Sequence, residues 1–587
     1  MIGSILSIEE NNVIVKLSID ISSQSNLINV HVIFEDGKTK VVGEIININK
    51  ETAIVSVIGE IIEDRFVPGI NRKPSFKSKV RIIVLDELSL ILGAQKVSDS
   101  HQTYFGLSNV YTNYRINVDV NAFFSNHFSI LGNTGSGKSS TTARIFQNVF
   151  TKGTYIPVNA RIFMFDAYGE YIQAFSKLHE FNNNLNVKVL TTNVNDKQHE
   201  LLRIPLWLLG VDDLAILLEA NDPSQLSILE SALKFVPILK AENAETTKVK
   251  NDIIARAILD ILRSGGDSSK IRDQVTAILT TYYTNDLNLD TKISQPGYVR
   301  TLKQCLYVDN SGKMAEMELV VQTINTFIVE GVNLPDPKGD TYYNLNDLDL
   351  ALNFALISEG ILKSDKVYDY ANTLSVRLRS LINSSAALYF DYPRMISKTA
   401  YIESLNKTKE GYNSQIIDIN INYVNDRLAK SITKILSKML FDNACLDVNR
   451  GKNPSHIIIE EAHRYVQSDN DVKLLGYNIF ERITKEGRKY GVILGLITQR
   501  PSELSETCIS QCSNFVILRT LHPKDLSYIG EMVPNISQEM IRQLKTLQPG
   551  HALAFGSAFN VPVEIKFEKP DPEPLSTNSD VVSAWFG

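Results

Sequence analysis

The stretch Gly132-Asn133-Thr134-Gly135-Ser136-Gly137-Lys138-Ser139 constrains the fold more than any other part of the chain. It matches the pattern G-x-x-x-x-G-K-[ST], follows an apolar run from Phe128 to Leu131, and precedes a helix-forming stretch from Ser140 to Phe150. Such a segment carries a strand into a helix and turns its backbone N–H groups toward phosphate. Its glycines let the chain curl without a Cβ clash. Lys138 is expected to pair with the β- and γ-phosphates of ATP, and the Ser139 hydroxyl to ligate Mg²⁺. The nucleotide-binding segment is therefore Gly132, Asn133, Thr134, Gly135, Ser136, Gly137, Lys138, Ser139 and Ser140. A chance Gly/Ser-rich loop is the bland alternative, and the strand and helix on its flanks argue against it.

With 587 residues the chain is too long for one compact core, so two to four domains are expected. The formal net charge of −6 excludes bulk attraction to nucleic acid and leaves room for a local basic surface. Cys305, Cys445, Cys508 and Cys512 lack zinc-finger spacing, which points to buried free thiols in a reducing cytoplasm. The amino terminus lacks the features of a signal peptide, and no apolar run approaches the ~20 residues of a membrane span. A cytoplasmic protein without membrane contact is expected.

Residues 1–95 contain short β-branched runs, among them Val13 to Leu17, Val30 to Phe34 and Thr52 to Ile58, separated by turn signals. They suggest a small β-barrel. Arg72, Lys73, Lys77, Lys79 and Arg81 form a basic cluster there, either a docking or DNA-facing patch or a solvated barrel edge. Residues 105–200 alternate strand, helix and strand, and the strand Arg161 to Phe165 ends in Asp166-Ala167-Tyr168-Gly169-Glu170-Tyr171. Residues 203–440 look mostly helical, an insertion within a split α/β core whose second part is 441–568. Within the insertion, Leu345 to Tyr368 has no clear assignment. Residues 569–587 form a Pro-spaced tail whose Trp585 and Phe586 are expected to dock on this chain or on a neighbouring subunit. The expected fold class is α/β: a P-loop core, an amino-terminal β-barrel and a helical insertion.

Three further elements carry chemistry. The apolar strand His456 to Ile459 ends in Glu460-Glu461-Ala462-His463, the form of a Walker B motif. Glu460 would hold the Mg²⁺ shell through water, and Glu461 would be the general base or water-positioner. A helix expected over Val472–Tyr490 buries Leu475, Ile479 and Ile483 at i, i+4, i+8. Arg488 lies about 140° round from Ile483 at 100° per residue. It is either an arginine finger acting on a neighbour's γ-phosphate or part of a solvated basic face. The strand Val492 to Ile497 runs into Thr498-Gln499-Arg500-Pro501, where Gln499 is either a γ-phosphate sensor or part of an ordinary turn.

In this order, the P-loop, Gly169-Glu170-Tyr171, Glu460-Glu461-Ala462-His463, Gly487-Arg488-Lys489 and Gln499-Arg500-Pro501 resemble the HerA branch of the FtsK–HerA superfamily of hexameric DNA-pumping ATPases. The resemblance covers nearly the whole chain and implies a RecA-like core. It further implies a ring of six subunits with ATP between them and double-stranded DNA in the central channel. By the same resemblance Lys138 and Ser139 bind phosphate and Mg²⁺, Glu461 is the catalytic acid, Arg488 the trans-acting finger and Gln499 the sensor. The barrel of this family contacts a partner nuclease. One departure is Asn126, which stands before His127 where many relatives have a basic residue.

The resemblance makes an ATP-driven DNA translocase or helicase the expected function, working with a partner nuclease or a sirtuin-like effector in DNA end processing or antiphage defence. The alternative is an ATP-locked scaffold that assembles and activates such an effector. A secretion or conjugation ATPase is disfavoured by the barrel and the lack of a membrane anchor.

Overall fold

A computed structural model describes the chain except residues 11, 19–26, 70, 94–100, 154, 242, 331–340, 359–364, 533–535, 537, 577–579 and 587. The chain divides into two compact units. Unit 1 is Met1–Leu201, Thr399–Asp469 and Tyr477–Gly587; unit 2 is Leu202–Lys398 with Asn470–Gly476.

Unit 1 opens with strands β1 (Gly3–Ile8), β2 (Asn12–Leu17), β3 (His31–Asp36), β4 (Thr39–Ile48), β5 (Thr52–Ile62), β6 (Arg65–Pro68) and β7 (Lys79–Ile82). Their order is β2-β1-β7-β3-β4-β5-β6, and the further pairing of β2 with β5 closes six of them into a barrel. Alternating residues make the barrel core, including Val13, Val15, Val32, Phe34, Val55 and Val80. The barrel edge is tied down by charge. Arg81 donates from Nε to Glu35 and from both terminal nitrogens to Glu87, each guanidinium contact being 2.8–2.9 Å long. Lys40 joins Glu87 at 2.8 Å. Arg81 is thus structural, and of the expected basic cluster only Arg72, Lys73, Lys77 and Lys79 remain exposed. The boundary expected near residue 95 falls partly outside the described residues.

The rest of unit 1 is one mixed sheet. Its strands are β8 (Gln102–Ser108), β9 (Arg115–Asp119), β10 (Phe128–Leu131), β11 (Ile162–Asp166), β12 (Val187–Thr191) and β13 (Glu200–Leu201). After β14 (Lys292–Gln295) and β15 (Tyr298–Thr301), a hairpin of unit 2, it is completed by β16 (Ile416–Asn420), β17 (Ser455–Ile459), β18 (Val492–Thr498), β19 (Asn514–Leu518), β20 (His551–Gly556) and β21 (Val563–Lys566). The order is β13-β12-β16-β11-β17-β18-β10-β19-β20-β21-β8-β9, parallel from β13 to β19 and antiparallel beyond. Strands β10, β11, β16, β18 and β19 are buried along their whole length, as central parallel strands covered on both faces must be. This is an α/β P-loop core carrying an amino-terminal barrel and a helical insertion.

The insertion is shorter than the 203–440 expected from sequence. Unit 2 ends at Lys398, and β16 belongs to the main sheet between β12 and β11. Asp418 and Asn420 interrupt the apolar run of β16, which hides a strand among helices. Unit 2 packs helices such as Pro223–Lys240, Ala244–Leu262 and Leu345–Ser358 around Leu229, Ile258 and Leu352. Leu345 to Tyr368 therefore begins as a helix, with residues 359–364 outside the described part and a second helix starting at Asp365. No helix among the described residues is long and apolar enough to cross a membrane. Cys305, Cys508 and Cys512 are buried free thiols, and Cys445 is half-buried.

The Pro-rich tail lies along the helix Lys138–Thr151. The Asp571 N–H donates to Gln147 at 3.0 Å, Gln147 donates to the Pro572 carbonyl at 2.9 Å, and the Leu575 N–H donates to the Glu170 carbonyl at 2.8 Å. Trp585 and Phe586, expected to dock on this chain or on a neighbouring subunit, sit on the helix Val581–Phe586 with 78% and 82% of their surface exposed. Nothing in their own chain covers them among the described residues.

The Arg81 and Lys40 contacts make a testable statement about the barrel. Hydrogen bonds from Arg81, helped by Lys40, pull the Glu87 carboxyl below its ordinary value to about 2. A carboxylate with a depressed folded pKa stabilises fully above its ordinary pKa and loses that contribution as pH falls toward the folded value. Glu87→Gln is expected to cost about 1–3 kcal/mol near neutral pH. In urea unfolding, the gap to the wild type should stay constant from pH 8 to about 5 and close below about 4.5.

Candidate nucleotide-hydrolysing site

The P-loop begins where β10 ends. Strand β10 lies between β18 and β19, with Leu131 opposite Thr498 on one side and Ile517 on the other. The Gly132 N–H donates to the Thr498 carbonyl at 3.2 Å, and the Asn133 N–H donates to the Arg519 carbonyl at 3.0 Å. The loop then turns back on itself, with the Ser136 hydroxyl donating to the Asn133 carbonyl at 2.6 Å. A Cβ on Gly132 would stand 2.7 Å from Ser136 Oγ and 2.8 Å from Leu518 Cβ, so only glycine fits. Gly137, left-handed at φ +96°, caps the helix Lys138–Thr151 and leaves its first N–H groups open at the mouth of the loop. Lys138 Nζ lies 3.4 Å from the Asn133 carbonyl, the reach of a side chain folded over its own loop.

Carboxyls gather at the neighbouring strand ends. Asp166, fully buried at the end of β11, accepts from the N–H groups of Tyr168 (3.1 Å), Gly169 (2.7 Å) and Tyr171 (2.8 Å). That bonding folds residues 167–170 into a tight turn and brings Glu170 to the Ser139 hydroxyl. Glu460, after β17, accepts from the Ala167 N–H at 3.2 Å. Glu461 follows with φ +46° and ψ 45°, a left-handed conformation costly for a residue with a side chain. Burial raises the pKa of Glu460, Glu461 and Glu170; Asp166 adds to the rise at Glu460, while Lys138 opposes it at Glu461 and Glu170. Burial also lowers the Lys138 pKa, opposed by Glu461, Glu460 and Glu170. Asp418, fully buried in β16 with neither carboxyl oxygen bonded, is pushed well above the carboxylate range by burial and by Asp166.

These groups fit a triphosphate with a divalent cation. The Glu170 and Glu461 Oε2 atoms and Asn133 Oδ1 are buried without an aligned hydrogen-bond partner, acceptors in wait of a donor or cation. Among the described residues no cluster of three or more His, Cys, Asp or Glu makes a closed metal cage. Mg²⁺ usually binds through one or two carboxylates together with phosphate oxygens and water. Ser139, Glu460 and Glu170 could furnish the protein's share.

Gln499 joins the same cluster, because the Thr134 hydroxyl donates to its side-chain oxygen. His463, in the short helix after Glu461, lies 3.0 Å from the Thr498 hydroxyl through Nδ1. Lys138, Ser139, Glu460, Glu461 and Gln499 are therefore brought together at the carboxyl ends of the parallel strands, where such sheets place ligands. Glu170 and His463 were not assigned roles from sequence. Both stand inside quoted motifs, but their contacts arise from strands that are far apart in the chain.

Arg488 is elsewhere. The expected helix Val472–Tyr490 is broken: Asp471–Leu475 is a separate turn ended by left-handed Gly476, and the longer helix is Ile479–Tyr490. Leu475 is thus no part of its buried stripe, while Ile479 and Ile483 are. Asn478 caps that helix and also donates to Asp469 at 3.2 Å. Asp469 in turn is ion-paired to the buried Lys434 and to Lys430. At the other end Gly487 presses on β18, since a Cβ there would collide with the Val492 carbonyl. Exposed Arg488 lies at this end and depresses the pKa of His127, behind burial as the main cause. His127 precedes β10 and accepts from the Leu494 N–H at 2.9 Å. Six residues of strand at ~3.3 Å each separate Val492 from Thr498, so Arg488 sits about 20 Å from the P-loop end of the sheet. Asn126 closes the turn before β10 by donating to the Ala122 carbonyl at 3.0 Å.

Residues 105–329 match the family model described as the central domain of helicase HerA. The DNA double-strand break repair helicase HerA of Pyrococcus furiosus is 23% identical over 533 residues, which cover 89% of this chain and 79% of that protein. The chain is thus similar to HerA helicases over most of its length. It is a P-loop ATPase. A probable helicase of Methanocaldococcus jannaschii is 33% identical over 194 residues, 30% of this chain, and the match spans only about a third of that protein's own length, 37%. Among solved structures, VirB4 of Thermoanaerobacter pseudethanolicus aligns over 81% of this chain and 98% of its own with 14% identity and a TM-score of 0.40.

In this chain Gly132→Ala is expected to lower nucleotide affinity more than about tenfold, the equivalent of 1.4 kcal/mol. Titration with a fluorescent ATP analogue measures this, and an unchanged melting temperature separates it from unfolding.

Proposed function

We propose that this chain is the subunit of a cytoplasmic homohexameric ring that hydrolyses ATP with Mg²⁺ to drive double-stranded DNA through its central channel. A partner nuclease or sirtuin-like effector docks on the amino-terminal barrel. The observation that carries the ring is the separation of Arg488 from its own P-loop. Phosphate-binding groups, acids and the Gln499 amide share one end of the sheet, while this exposed arginine stands about 20 Å away at the other, with strand rise as the ruler. A neighbouring subunit can present it to the γ-phosphate.

In this reading the P-loop amides and Lys138 hold the phosphates, and Ser139, Glu460 and Glu170 hold the cation shell. Mg²⁺, when bound, neutralises charge on the β- and γ-phosphate oxygens. Glu461 Oε2 accepts the proton of the attacking water, and the raised affinity that burial gives this carboxyl for a proton suits a base. Gln499 leaves Thr134 for the γ-phosphate. Arg488 of the adjoining subunit adds positive charge as the bond breaks.

Arg488→Ala is expected to bind nucleotide as the wild type does and to lose turnover by roughly 10³–10⁵. Mixed with Lys138→Ala subunits it should regain measurable hydrolysis, since Arg488 from one chain then meets Lys138 from the other. Loss of nucleotide affinity in Arg488→Ala sinks the assignment. Glu461→Gln is expected to lower kcat by about 10²–10⁴ with affinity retained. The same variant tests the scaffold reading: a ring that still activates its effector without hydrolysis makes ATP a lock rather than a fuel.

A further inference from the structure

We propose that His463 is a positioning residue whose Nδ1 atom links the Glu461 carboxylate to the nucleotide-sensing end of β18. The inference rests on the hydrolytic reading above and assigns a part to a side chain that reading does not use. Nδ1 lies 3.0 Å from Thr498 Oγ1 and 3.2 Å from Glu461 Oε2. Only the first contact has hydrogen-bond alignment, and Glu461 Oε2 is buried without an aligned partner. One ring atom therefore stands between two groups and bonds one of them.

The Thr498 side of this contact leads directly to the phosphate loop. Thr498 Oγ1 accepts from the Arg500 N–H at 3.0 Å, and the Thr498 carbonyl accepts from the Gly132 N–H at 3.2 Å. The next residue, Gln499, accepts from the Thr134 hydroxyl. Residues 498 and 499 thus touch the P-loop twice, and a shift of Gln499 toward a γ-phosphate pulls on the residue that holds the imidazole.

On the other side, Glu461 occupies a left-handed backbone conformation that persists only where its surroundings hold it. Its carboxylate also meets the Gln499 backbone N–H, so the end of β18 and the imidazole together set its direction. With the imidazole bonded to Thr498, Oε2 is free to take a proton from water. With Nδ1–H turned to Oε2, the carboxylate is engaged and water is not activated. His463 makes proton acceptance at Glu461 depend on the position of β18.

The test uses the full chain and pairs steady-state ATP hydrolysis with binding of a slowly hydrolysed ATP analogue. His463→Ala and Thr498→Val are each expected to lower kcat about tenfold or more, with analogue affinity and melting temperature near those of the wild type. His463→Asn, which keeps a polar nitrogen near the Nδ1 position, and Thr498→Ser, which keeps the hydroxyl, should restore much of the rate. The double variant His463→Ala/Thr498→Val should be no slower than the slower single one, because both remove the same link. A wild-type kcat in His463→Ala, additive losses in the double variant, or a rate loss matched by lost affinity overturns the proposal. Lys138→Ala and Glu461→Gln serve as references. If these two hydrolyse normally, the site reading itself fails; if they are inactive while His463→Ala is normal, only the link fails.

Discussion

The parallel pairing of β10 with β18, which sets Leu131 opposite Thr498, is the constraint on which the site depends. It places the first P-loop amide against the Thr498 carbonyl and the Thr134 hydroxyl against Gln499. A shift of one residue in this register would turn each side chain of β10 to the opposite face of the sheet and break both contacts. Strand β18 also separates β10 from the acid-bearing β17, so the phosphate loop and the carboxyls reach each other only over the strand ends. Gly495 makes this order possible, since a Cβ there would meet Phe128 from one side at 2.6 Å and Ile458 from the other at 2.7 Å.

Burial gives the acids their chemistry. Taking a carboxylate out of water is costly unless charge or hydrogen bonds offset the loss. Asp166 meets that cost with three backbone N–H groups and so fixes the turn that carries Glu170. Glu460 has one such donor, and Glu461 Oε2 and Glu170 Oε2 have none aligned. The sheet thus holds one acid for structure and leaves its neighbours short of partners, the state in which a cation or a proton is taken up readily.

Much of this was legible in the residues. The P-loop, the Glu460-Glu461 pair and Gln499 were each marked by a short local pattern at a strand end, and local patterns survive folding. The short β-branched runs Val13 to Leu17, Val30 to Phe34 and Thr52 to Ile58, set apart by turn signals, likewise announced a small barrel. Strand β16 was not legible, because Asp418 and Asn420 give it a polar look while the sheet buries it completely. Nor was the break before Ile479, where Gly476 and the Asn478 cap outweigh the apolar spacing that runs through them. The tail divided in two: its prolines lie along the P-loop helix, whereas Trp585 and Phe586 remain exposed.

By itself the sequence determined that Gly132 to Ser139 would form a P-loop between strand and helix, because backbone curvature, a lysine and a hydroxyl are local properties of eight residues. It also determined that acids would follow β17. Only the tertiary structure decided which groups share the site. Glu170, the Glu460–His463 stretch and Gln499 come from separate parts of the chain and meet because the strands stack in an order the sequence does not spell out. The same order carries Arg488 to the far end of β18, as a residue's distance from a ligand is set by the direction of its strand and not by its motif.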